Sequence, residues 1–438
     1  MRILGGVVLT VLVIIGVLAG VGWYVLHNAD RYIPKVVANL EQRTGLQVQI
    51  DHIKVGLKPT LLVTIYGLQI ENPKPFPGGD FVNVPVAQAD VEEVPLIHGN
   101  IEIRSLVLDH PTIDFISDPD GLWNFQNPSA SKNKPAHFSM GVIHDLQIEH
   151  GTLLGSNLID PADTPGPVVL DFHDFSAQLK QIDVRRVRMG GGGQTVTGHI
   201  RAKQARFGSI HTTNLDSQIR ITRKQLTFKN FDTRTHSGHA RGDFSFNFGG
   251  PNTTFQTNLK VSGIGMPYLL AEFSQGPPKM TGTMQADFQL AGDVKHTSNP
   301  LAGVHGSGHF TIRNGELPSL NRDKSMAQMK RFRDPGTEKL PVSAFATFAG
   351  DMDLKQQRMY SRRIGVNFYG IDVDGTGSTS VTAGAMDYRG LATIQKKQGF
   401  VTDLLASWFK GAKIKDGRMT FPIRLTGTLA KPQFALKH

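Results

Sequence analysis

From residue 46 to the C-terminal end, apolar and polar residues alternate. Leu46, Val48 and Ile50 do so in "LQVQI", and Ile53, Val55 and Leu57 in "HIKVGL". Ile101, Ile103, Leu106, Leu108, Ile113 and Phe115 continue the pattern through "NIEIRSLVLDHPTIDFI". Successive side chains of an extended chain point to opposite faces, so each such run predicts a half-buried strand. The same pattern returns in "QLTFKNFDT", "RGDFSFNFG", "TFQTNLKVSG", "MQADFQLAG", "GHFTIRNGEL" and "MTFPIRLTGTL", punctuated by Gly, Asn and Asp. One apolar face and one polar face predict a mainly β protein, an antiparallel sheet with a single greasy side. At Ser105 the parity breaks, which predicts a bulge or a tight bend.

Helical spacing is confined to short stretches. Ile33, Val36, Val37 and Leu40 share a face of a helix over 32–44, with Pro34 in its first turn and Gly45 to stop it. Two further short amphipathic helices are expected over 321–333 and 398–409, the second carrying Val401, Leu404, Leu405 and Trp408 at helical spacing. Residues 72–83, 117–137 and 156–167 read as loops, and "GGGG" at 190–193 as a hairpin tip. The loop containing "NPSASKNKP" is the best domain boundary. Residues 3–26 carry no charge over 24 positions, enough for a helix to cross a bilayer core, and Trp23 and Tyr24 sit near the end of the run. A retained anchor and a cleaved signal peptide both begin this way; the length of the run and the lack of an A-x-A site favour the anchor. The expected organisation is an anchor at 1–27, an N-terminal β region at 28–130, a middle β region at 131–290 and a C-terminal β region at 291–438.

One unit recurs: "IYGLQIENPKP" at 65–75, "IRSLVLDHPTI" at 103–113 and "IHDLQIEHGTL" at 143–153. The first, fourth and sixth places are apolar in all three: Ile65, Leu68, Ile70; Ile103, Leu106, Leu108; Ile143, Leu146, Ile148. With Ile101, these are the candidates for lining an apolar groove. The other reading of the same positions is a closed core, and alternation alone supports both.

Composition narrows the chemistry. The chain has 438 residues, too many for one ordinary core, and 47 glycines, which suit a bent sheet rich in turns. It has no cysteine, so disulfides, thiol nucleophiles and thiolate metal sites are excluded. A net charge of +10 is compatible with anionic lipid, but no nucleic-acid motif accompanies it, and no nucleic-acid partner is expected. Neither a GxSxG nor a phosphate-binding GxxxxGK[ST] occurs, and no pair of carboxylates stands out for acid–base work. The histidines in "DFHDF", "HSGHA" and "VHGSGH" lack the helical spacing of a metal site. The expectation is a protein that is not an enzyme and uses neither cofactor nor metal. Arg322, Lys324, Lys330, Arg331 and Arg333 form a basic run that either meets anionic headgroups or a partner, or is a solvated helix face. Trp408 and Phe409 either cap the sheet, plug a groove end or dip into a membrane.

Several stretches together resemble the AsmA family of envelope proteins. They are the N-terminal span, the entry "RTGLQVQID" (43–51), the turn "DGLWNFQNP" (120–128), "GSGHFTIRNGEL" (306–317) and the closing "FPIRLTGTLAKPQF" (421–434). The middle section, 130–290, is shorter than in many relatives. The resemblance implies a single-pass cell inner membrane protein with a periplasmic β-rich body. It also implies an elongated, curved sheet with an apolar groove, as in bridge-like lipid-transfer proteins, and a role in phospholipid movement or outer membrane biogenesis. No catalytic residues come with it. A non-catalytic envelope scaffold that binds other proteins through its sheet edges is the alternative.

Overall fold

The computed structural model describes residues 46–57, 60–93, 95, 100–118, 123–124, 139–157, 168–183, 195–207, 210–222, 224–235, 238–247, 254–271, 280–293, 303–321, 326–327, 330–380, 384–395, 412–416, 418–428 and 431–436, with 33–34, 37–38 and 41 ahead of them. The protein is mainly β, and it divides into two compact units. Unit 1 comprises residues up to 233 together with 245–253, and unit 2 comprises 234–244 and 254–438. Among the described residues no helix is long and apolar enough to cross a membrane; the expected anchor at 3–26 lies outside them. Ile33, Pro34, Val37, Ala38 and Glu41 are helical, as the spacing over 32–44 predicts.

Unit 1 opens with β1 (Val48–Gln49) and β2 (His52–Leu57), both antiparallel to β3 (Leu61–Glu71). On its other side β3 pairs with β4 (Asp80–Val91), so the expected loop over 72–83 ends earlier, at residue 79. β4 pairs antiparallel with β5 (Asn100–Asp109) and with β6 (Thr112–Ser117). The next pairing departs from the antiparallel expectation: β5 and β6 both run parallel to β7 (Ser139–Asn157). A parallel neighbour needs a crossover of a dozen residues or more, and the chain between Ser117 and Ser139 supplies it. The expected boundary near 130 therefore falls between strands that pair. β8 (Val168–Asp183), β9 (Val196–Phe207) and β10 (Ile210–Ile221) follow antiparallel. The Ser217 hydroxyl of β10 donates to the Lys229 carbonyl of β11 (Gln225–Thr235).

The parallel pairing accounts for the repeat. Ile103 lies against Ile143, Leu106 against Leu146, Leu108 against Ile148 and Thr112 against Thr152, so two copies stand side by side at a constant offset. His110 and His150, equivalent in the two copies, stack with ring centroids 4.9 Å apart. Both take the left-handed conformation, with φ of 51° and 53°. They belong to a seam that crosses unit 1 through Gly67 on β3 (φ 64°), Asp174 on β8 (φ 48°) and Asn214 on β10 (φ 54°). On either side of it buried positions stand three apart instead of two: Ile65 and Leu68, Ile148 and Gly151, Phe172 and Phe175, Thr212 and Leu215. One extra residue per strand keeps the apolar side chains on one face while the sheet bends, as a bulge does. Gly, His, Asp and Asn are the residue types that tolerate this conformation. The break expected at Ser105 is present too, as register shifts at Asp90/Val91 and Ile101/Ile103.

Unit 2 is a succession of antiparallel neighbours: β13 (Thr254–Gly265), β14 (Thr283–Asp293), β15 (His305–Glu316), β16 (Ala344–Lys355), β17 (Arg358–Asn367), β18 (Ile371–Ser380) and β19 (Ala385–Gln395). β21 (Arg418–Thr428) follows β19, and β20 (Lys413–Lys415) and β22 (Pro432–Leu436) both pair with β21. The Thr257 hydroxyl ties β13 to Asp243 of β12 (Gly238–Asn247). A short helix, α1 (Met266–Ala271), follows β13 and was not expected from the sequence. Within the helix expected over 321–333, Met326 and Ala327 are helical and Lys330–Phe332 form a 3-10 turn, while a second 3-10 turn, Pro318–Leu320, precedes the span. The helix expected over 398–409 and the tip at 190–193 lie outside the described residues.

Candidate functional site

In unit 1 the apolar positions align across strands into continuous rows. One runs Val63, Ala89, Leu106, Leu146, Leu179; the next runs Ile65, Ala87, Leu108, Ile148, Ala177, Ile200. Ile65, Leu68, Ile70 and Leu106 are 0% exposed, Ile103, Ile143 and Leu146 are 1%, and Leu108 is 2%. Ile148 is also buried, and the Ile101 side chain is outside those described. A side chain with no exposed surface has no area to give an acyl chain unless its neighbours move. These rows are packed as a closed core, so the strongest groove candidates of the sequence do not line an open face.

The inner face of unit 2 is built differently. Among the described residues five aromatic side chains stand directly across from glycines: Phe255 from Gly292, Phe288 from Gly308, Phe310 from Gly350, Phe345 from Gly315 and Tyr388 from Gly377. A Cβ on any of these glycines would press on the ring opposite, so each ring lies over the strand that lacks a side chain. Among the described residues unit 1 has one such pair, Phe175 over Gly151. Part of the face is sealed, by Ile264, Met284, Ile312, Phe345, Ile371, Ala392 and Phe421. Beside it Leu259, Phe288, Phe310, Phe348, Val366, Val373 and Leu425 pack against that core while remaining only partly buried. This second set is the apolar surface from which an acyl chain could remove water, at about 25 cal/mol per Å².

Spacing signalled these glycines, although they read as punctuation. Gly306 and Gly308, and Gly375 and Gly377, sit at the parity of the apolar residues around them, which marks an inward position without a side chain.

The charged residues are outside these rows. On unit 1, hydrogen bonds from Lys203 and His150 hold the Asp174 carboxyl below the usual carboxylate value. On unit 2, Arg424 grips Asp387 at 3.1 and 3.2 Å and holds that carboxyl low as well. Glu92, Glu102 and His144 bring potential ligand atoms within 4.8 Å of one another. Arg104 lies 3.8 Å from Glu92, so a cationic side chain already serves that carboxylate.

Of the basic run, Arg322 and Lys324 lie outside the described residues, as do Trp408 and Phe409. Lys330 is half-buried, and the Arg331 side chain is not among those described. Arg333 is turned inward. It is 7% exposed, and its guanidinium donates to the carbonyls of Pro341, Val342 and Ala344 at 2.8, 2.6 and 2.6 Å. Burial lowers its pKa, and the Tyr369 ring lies 5.8 Å away. Arg333 is therefore not a headgroup contact: it ties the loop before β16 to the turn before Asp334.

Residues 1–186 match the model of the AsmA family. The matched stretch ends just past β8 and contains both side-by-side copies of the repeat. No curated protein and no solved structure matches the chain.

Proposed function

We propose, from the match of residues 1–186 to the AsmA family, that the protein is a lipid-handling protein of the cell envelope. On this reading residues 3–26 anchor it in the inner membrane and the β body lies in the periplasm. The body binds or moves phospholipid in support of outer-membrane lipid homeostasis, without catalysis and without a cofactor. The observation that carries the reading is the partly buried apolar set of unit 2, Phe288, Phe310, Phe348, Val366 and Val373, beside a sealed core. A purely structural sheet gains by closing such a face, since apolar area left in water forgoes stabilisation. The reading is tested by native mass spectrometry of the purified full chain, with extraction of any bound lipid. Phospholipid should accompany the protein at a defined ratio. Protein free of lipid after mild purification, and unable to take it up from vesicles, would favour the envelope scaffold instead.

A further inference from the structure

Among the described residues, three hydroxyl-bearing side chains stand close together in register on the inner face of unit 2. Ser361 on β17 stands opposite Gly377 on β18, and Gly377 stands opposite Tyr388 on β19. The Tyr388 ring lies over Gly377, and its hydroxyl is 2.9 Å from Thr379 Oγ1. Ser361 is 1% exposed, Thr379 6% and Tyr388 8%. Among the described residues Ser361 Oγ has no hydrogen-bond partner, although it is buried. Its backbone is fixed: the Ser361 carbonyl accepts from Thr376 Oγ1 at 2.9 Å, beside the register shift between Ser361 and Ile364. A buried donor left unpaired is costly, which makes such a group a candidate for a ligand contact.

The charges nearby restrict what that ligand offers. Arg358 is bonded through Nε to Ser378 Oγ, and Arg362, Arg363 and Arg389 are exposed. Tyr360 and Ser378 pair at the parity opposite to Ser361 and Gly377, so Arg358 is held at the outer face. A phosphate would find no cation among Ser361, Thr379 and Tyr388, whereas a neutral carbonyl oxygen needs only a hydroxyl donor. Resting on the lipid-handling reading above, we propose that these three hydroxyls are the polar anchor of a glycerolipid site. The ester carbonyl of the lipid accepts from Ser361, and its chains run along the partly buried side chains of Phe288, Phe310 and Phe348. The Tyr388 ring lies over Gly377, the residue between it and the serine, and its bond to Thr379 is a contact that an entering lipid replaces. The plain structural account is a serine whose hydroxyl merely rests against the tyrosine ring; it gives the serine no say in which lipid binds.

The experiment offers the full chain equal amounts of ester-linked phosphatidylglycerol and its ether-linked analogue in mixed vesicles, and reads bound lipid by native mass spectrometry. One neutral hydrogen bond gives the wild type a preference for the ester of roughly three- to ten-fold. Ser361→Ala should erase that preference while leaving the melting temperature unchanged or raised, because it removes an unpaired buried hydroxyl. Ser361→Thr should retain it. Equal uptake of the two lipids by the wild type, or a preference that survives Ser361→Ala, overturns the anchor and leaves the lipid-handling reading standing. Uptake of neither lipid by the wild type overturns both. If Ser361→Ala fails to fold, the wild-type ratio alone decides.

Discussion

Unit 1 fills its inner rows with branched aliphatic side chains, whereas unit 2 lays aromatic rings over glycines. Leu106, Leu146 and Leu179 follow one another across three strands of unit 1, each fully covered by its neighbours. In unit 2 the row through Ala286, Phe310 and Gly350 alternates a large ring with residues that have little or no side chain. Aliphatic rows interlock and leave no room, so they make a rigid, dry layer. A ring over a glycine covers the backbone of the next strand but presents a broad flat surface upward, and Phe288 and Phe310 keep part of that surface in contact with solvent. The same alternation of apolar and polar residues thus serves two ends, and side-chain shape decides between them.

The largest effect should separate the two units directly. Leu106→Asp places a carboxylate in a layer with no exposed surface and should cost about 3–5 kcal/mol, enough to prevent folding or to lower the melting temperature sharply. Phe310→Asp, on the partly covered row, should cost about half as much because its carboxylate can reach water, and it should remove bound lipid. Thermal unfolding followed by circular dichroism reads both, and equal losses would abolish the distinction. Next in size is the glycine comparison. Gly308→Ala forces a methyl group into the Phe288 ring and the Asp287 carbonyl and should cost about 1–3 kcal/mol. Gly365→Ala meets nothing nearer than 3.5 Å and should be neutral or gain a few tenths of a kcal/mol. Chemical denaturation of the two variants checks this; similar losses would mean that the rings do not depend on the glycines beneath them.

The smallest effect is electrostatic and should be shared by the two units. The carboxyls of Asp174 in unit 1 and Asp387 in unit 2 are both held below the ordinary value of 3.8, by Lys203 with His150 and by Arg424 respectively. A carboxylate depressed in the folded state contributes stability that is complete above the unfolded pKa and is lost as pH falls through the folded one. Stability should therefore decline below about pH 4, modestly, because both groups face water. Asp387→Asn should flatten the decline only in part, and about 0.5 M salt should shrink it further. A pH titration of the melting temperature reads this, and a decline that begins near neutral pH would point to a different group.

The strands were legible because alternation needs only neighbours along the chain. Their direction was not: period two is the same for parallel and antiparallel pairing, and the β5–β7 pair departs from the expectation for that reason. The clue lay instead in the constant offset between Leu106 and Leu146, which only a side-by-side arrangement satisfies at every place. The helix Met266–Ala271 escaped because six residues hold less than two turns, too few for a helical period to show. For the candidate face, the clearest alternation pointed to rows that are fully buried. Regular Ile and Leu mark the positions that seal best, whereas the partly open face is written in Phe and Gly, where glycine at an inward position breaks the apolar pattern. Arg333 misled for a related reason: a basic residue in a basic run reads as exposed, and only the three carbonyls around it show that it is built in.

The pairing of residues 103–113 with 143–153 has a consequence for how such a chain can change over generations. The second copy meets the first through the same positions that a third would offer to the second. An in-frame duplication there would widen the sheet by one strand spacing, about 4.8 Å, without shifting the register of any existing row. The breadth of the body is then a matter of copy number in the coding sequence, adjustable in whole steps by unequal recombination, where point substitution would have to rebuild every neighbouring contact at once.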